Sequence, residues 1–136
     1  MNPKKTTKEG QHLLSDQLSK DELDDLYSGI GQFNEQKFFE CHETLEKIWL
    51  RQEGETKELL QGLIQLAVGY HHMLNGNAKG ALKLLARGLE RVAKYKPSAL
   101  GLELSDLCQA VQSTLNDLTS KKPPIHASSI PRVRIL

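Results

Sequence analysis

The segment from Glu55 to Gly76 constrains this chain most. It carries Leu59, Leu60, Leu63, Ile64, Leu66, Ala67, Val68, Tyr70, Met73 and Leu74. At a helical advance of about 100° per residue, these side chains cover most of the circumference. A helix that is apolar nearly all round belongs at the centre of a fold, with other helices packed on it. Gln61, Gln65, His71 and His72 interrupt the run, which counts against a lipid-spanning segment.

The flanking sequence supplies the helices that would cover it. Ser19 followed by Glu22 is a capping-box pattern, and Leu23, Leu26 and Ile30 follow at helical spacing, so a first helix is expected over 20–31. A second is expected over 34–53, with Asn34 as its N-cap and Gly54 as its breaker. Asn77 is placed to cap a fourth over 78–95, stopped before Pro97. Leu104, Leu107, Val111, Leu115 and Leu118 predict a fifth over 101–118. With 136 residues, this is material for one domain. The expected fold is therefore all-α, a compact multihelical bundle of five helices around a buried third helix. No strand and no tandem repeat is read from the pattern. Residues 1–18 form a polar extension, 19–120 the domain, and 121–136 a basic, Pro-containing tail that packs on the bundle or on a partner.

Charge narrows the partners. Eighteen Lys and Arg oppose seventeen Asp and Glu, for a net charge of +1, which counts against strong steering to nucleic acid or membrane. Aromatic residues are 5% of the chain, too few for a base-stacking platform. Cys41 and Cys108 make no disulfide framework and are read as core residues. The polar start and the lack of a long apolar run point to a cytoplasmic protein. The scattered Ile, Val and Leu of the tail leave a homodimer open. Lys83, Arg87 and Arg91 are spaced along one face of the fourth helix and are read as a solvated surface.

The chemistry-bearing residues cluster in two segments. On the second helix, His42 and Glu46 are read inside the apolar stripe, among Phe38, Leu45 and Trp49, with Glu43 at its edge. A buried carboxylate needs a partner, a proton or a cation. On the third helix, Gln61, Gln65 and His72 fall within about 40° of one direction, with Val68 between them. Antiparallel packing would let the two polar lines meet. A satisfied network of Gln, His and Glu is one outcome, and a bound divalent ion or small polar ligand is the other. A mixed N/O set of His42, Glu46 and His72 suits Zn, Mn, Fe or Ni. Glu43 would then take the proton of an activated water, and Gln61 and Gln65 would orient water or substrate. Gly62 and Gly69 in the third helix are read as sites of close helix packing.

These residues also stand in a recognisable order. Phe33-Asn34 is followed by Phe38-Phe39-Glu40-Cys41-His42-Glu43-Thr44-Leu45-Glu46-Lys47-Ile48-Trp49. Then come Leu60-Gln61-Gly62-Leu63-Ile64-Gln65, His72, Gly76-Asn77 and Gly80-Ala81. In this the chain resembles the domain of unknown function numbered 309, a family also described as similar to predicted metal-dependent hydrolases. The resemblance implies an all-α domain and a metal or hydrolase site, with His42, Glu43, Glu46, Gln61, Gln65 and His72 matching the family pattern. With it included, a metal-dependent hydrolase-like protein becomes the leading expectation. A non-catalytic structural or ligand-binding helical protein is the alternative.

Overall fold

The computed structural model describes residues 11–12, 17–120 and 129–136. Five helices dominate: α1 (Lys20–Asn34), α2 (Phe38–Trp49), α3 (Gly54–Leu74), α4 (Ala78–Val92) and α5 (Ser105–Thr119). The all-α expectation holds. The capping box is formed, with Glu22 N–H donating to Ser19 Oγ and Ser19 N–H donating to the Glu22 carboxylate. Asn77 caps α4 by accepting from Gly80 N–H. Asn34 does something else. It is the last residue of α1, and the N-cap of α2 is Lys37, whose side chain makes no capping bond.

Four two-residue strands, β1 (Gln11–His12), β2 (Ser98–Ala99), β3 (Leu102–Glu103) and β4 (Arg134–Ile135), form a small sheet in the order β1-β2-β3-β4. β1 runs parallel to β2, and the other pairs are antiparallel. Two residues are too few to show an alternating pattern, so periodicity could not reveal them. The described end of the tail contributes β4 to this sheet. The predicted extension and tail otherwise fall largely outside the described residues.

α3 is central. Leu59, Leu60, Ala67 and Tyr70 are fully buried, and Tyr70 stacks on Phe38 at 6.0 Å and meets Phe33 edge-on at 6.2 Å. Its hydroxyl shares a 3.0 Å hydrogen bond with Thr114 of α5, which satisfies a buried polar group on each side. Both cysteines are buried, and burial pushes the Cys41 thiol up to about 12 and Cys108 to about 11. Neither is a ready nucleophile near neutral pH.

The chain contains a repeat that its pattern does not announce. Helices α1 and α2 form one antiparallel hairpin, α3 and α4 a second, and equivalent positions lie forty residues apart. Gln36 (φ 62°) and Gly76 (φ 78°) hold the same left-handed turn position. Lys37 N–H bonds to Gln32 O as Asn77 N–H bonds to His72 O, both at 2.8 Å. Gly29 lies against Leu45 as Gly69 lies against Leu85. Leu23, Leu26 and Gly29 recur as Leu63, Leu66 and Gly69. The absence of a tandem repeat is therefore corrected: two hairpins are stacked, and α5 closes the row against α4.

Candidate functional site

The predicted residues on α2 occupy a different part of the helix from the one their spacing suggested. The buried stripe is Phe38, Cys41, Leu45 and Ile48. From its centre His42 is turned by about 80° and Glu46 by about 120°. His42 is thus half-buried, with its side chain 33% exposed, and Glu46 is 52% exposed. The expected buried carboxylate is not there, because the stripe centres on Cys41 and Leu45 rather than on His42. The two side chains do pair: His42 Nε2 lies 3.6 Å from Glu46 Oε2 across one helical turn. Glu43 is exposed and stands opposite the buried stripe.

On α3, Gln61, Gln65, Val68 and His72 are all half-buried and lie on one line. Two contacts set the register of this line against α2. Phe38 stacks on Tyr70 at one end, and Lys57 Nζ sits 4.4 Å over the Trp49 ring at the other. Interpolating between these anchors at the helical rise sets His42 level with Gln65 and Glu46 level with Gln61. The two polar lines are therefore level with each other along the groove between α2 and α3. Lys57 was missed by the sequence reading, although it falls four residues before Gln61 on the same line.

His72 is not part of this group. It lies seven residues beyond Gln65, about 10 Å of helical rise. Its ring Nδ1 is 3.3 Å from Asn77 Nδ2, at the turn into α4, and it tilts against His71. Among the described residues no three His, Cys, Asp or Glu side chains are gathered to hold a metal ion. A catalytic zinc site uses three protein ligands. The pair His42 and Glu46 supplies two donors from one half-exposed helix turn, so this donor set does not fit a resident ion.

The polar atoms of the groove are incompletely satisfied. Gln65 Oε1 and Trp49 Nε1 are buried without a hydrogen-bond partner. An unpaired buried acceptor or donor costs about 1–3 kcal/mol. Among the described residues, Gln32 Oε1 on α1 is a third buried atom without a partner. Glu58 on α3, outside this line, is by contrast well matched, accepting from Lys94 Nζ at 2.7 Å and from Tyr95 Oη at 2.5 Å. These two hydrogen bonds, with Lys94 and Arg91 charges near by, hold its carboxyl below the usual carboxylate range. This cluster ties α3 to the 3-10 turn Ala93–Tyr95 and accounts for Arg91, which leaves Lys83 and Arg87 as the exposed bases of the α4 row.

Residues 26–84 match the domain of unknown function DUF309. The DUF309 match runs from the middle of α1 into α4 and includes every residue of the groove named above. An uncharacterized protein of Aquifex aeolicus (strain VF5) is 26% identical over 93 residues, 68% of this chain. The chain spans 28% of that relative's length. These comparisons support the DUF309 resemblance and add neither a metal nor a hydrolytic activity to it. Among the described residues, no helix is long and apolar enough to cross a membrane.

Proposed function

We propose that the groove between α2 and α3 binds a small polar molecule, with His42 as its proton-handling group. The observation that carries this reading is Gln65 Oε1, a buried acceptor without a partner, level with the His42–Glu46 pair. A ligand N–H or O–H donating to Gln65 would remove the desolvation penalty of that oxygen. Gln61 offers both a donor and an acceptor at the next turn.

The chemistry that suits these groups is hydrolase-like. Glu46 orients the imidazole, and His42 takes a proton from a water that attacks the bound molecule. This gives His42 the proton-accepting role that the sequence pattern gave to Glu43, and gives Glu46 an orienting one. The zinc, manganese, iron or nickel ion expected from the donor set of His42, Glu46 and His72 enters this reading only as an exchangeable ion on His42 and Glu46, and no step depends on it.

The test is turnover of p-nitrophenyl acetate and p-nitrophenyl phosphate by the full chain, with and without added Zn²⁺ or Mn²⁺. A positioned general base contributes about 10²–10⁴-fold. Turnover lost by that order in His42→Ala, and weakened in Gln65→Leu, is the expected result. Equal rates for the wild type and His42→Ala on both probes would overturn the hydrolase-like reading.

A further inference from the structure

We infer that the open edge of β4 docks a second copy of this chain, paired antiparallel about a two-fold axis. The backbone register points there first. Leu136 N–H donates to Gly101 O at 2.8 Å, which makes Leu102 and Ile135 the pair of the β3–β4 ladder without mutual hydrogen bonds. The N–H and C=O of Ile135 therefore point away from β3, and among the described residues β4 is the last strand of the sheet. Val133 faces the same way, two residues earlier. Its N–H donates to Asn34 Oδ1 at 2.7 Å, and its C=O accepts from Asn34 Nδ2 at 2.9 Å. One side-chain amide thus closes the edge at Val133, and among the described residues the same edge stays open at Ile135. An unpaired strand edge is a template for another chain.

The surroundings decide what that chain is. Ile135 is 44% exposed and Leu136 64%. Beside them is a concavity of about 510 Å³, lined by Arg132, Arg134, Glu103 and Asp106. The two arginines make no ion pair with any described residue. A two-fold interface brings one patch against its own copy, so the patch must complement itself. Two bases, two acids, two exposed apolar side chains and one free backbone N–H and C=O meet that condition. An acidic peptide or a nucleic acid would meet the arginines but would also face Glu103 and Asp106, so a single-sign partner is the poorer match.

Analytical ultracentrifugation of the full chain, from about 10 μM to about 1 mM, covers the weak-association range that such a small patch supports. The wild type is expected to dimerise, and added salt should weaken the dimer. Ile135→Pro removes the outward N–H, and Arg134→Glu breaks the charge balance. Each should weaken association at least about tenfold, with circular dichroism showing that the helices remain folded. A wild type that stays monomeric throughout, or an association that either variant leaves unchanged, overturns the inference.

Discussion

The two hairpins share a backbone and differ in the side chains they hang on it. From residue 41 to 50 the alternation of buried, half-buried and exposed positions is the same as from 81 to 90. Yet His42, Glu46 and Trp49 on α2 stand where α4 has Leu82, Ala86 and Leu89. The second hairpin shows that apolar residues serve this edge of the helix well. The polar set on α2 is therefore not something the hairpin requires, and its presence needs another cause. The hairpins also differ in closeness. Where α2 has Ile48, α4 has Gly88, and a Cβ added there would lie 2.9 Å from Gly62 O and 2.8 Å from Leu66 Cδ2.

That difference in closeness yields the largest expected effect. Gly88→Ala pushes a methyl group against backbone. It should destabilise by about 1–3 kcal/mol, even after part of the gain in helix propensity is counted. Gly29→Ala in the first hairpin meets side chains rather than backbone, Leu45 Cδ2 at 2.8 Å and Cγ at 3.3 Å and Thr44 Cγ2 at 3.4 Å. There the propensity gain of about 1 kcal/mol should offset the crowding. Urea denaturation of both variants checks the contrast, and equal losses would mean that the hairpins are packed alike.

A smaller effect tests the shared turn. Lys37 (φ −90°, ψ 67°) and Asn77 (φ −95°, ψ 78°) hold the same N-cap conformation, but only Asn77 bonds to the helix end. Asn77→Ala should cost about 1 kcal/mol, and Lys37→Asn should gain up to a similar amount. Thermal melts of the two variants should shift in opposite directions. A Lys37→Asn melt at or below that of the wild type would show that the two turns are not equivalent.

How much of this was legible depended on the length and regularity of each signal. All five helices were read because each carries several turns of apolar spacing, and two had caps, Ser19 with Glu22 and Asn77, that mark their starts. Gly62 and Gly69 were read as packing glycines, and both lie against α4. The sheet was hidden by strands of two residues. The repeat was hidden because it conserves burial and turn geometry more than identity: Cys41 answers to Ala81, Ile48 to Gly88 and Gln36 to Gly76. Its visible trace was the recurrence of Leu23, Leu26 and Gly29 at Leu63, Leu66 and Gly69. Within the groove, the alignment of Gln61, Gln65 and His72 on one side of α3 could be read from the helix period. The depth of Glu46 could not, because a shift of the stripe's centre by less than one residue's rotation moves it from core to surface. His72 shares the α3 line with Gln65, but period alone says nothing of its distance along the axis.

The most direct test grafts the second hairpin's edge onto the first. The double variant His42→Leu with Glu46→Ala should keep the wild-type unfolding free energy within about 1 kcal/mol, because an exposed i,i+4 pair contributes only about 0.3–0.5 kcal/mol. A loss of more than about 2 kcal/mol by urea denaturation would instead make the pair part of what holds the hairpin together. That result would contradict the claim that its chemistry is set on the fold rather than required by it.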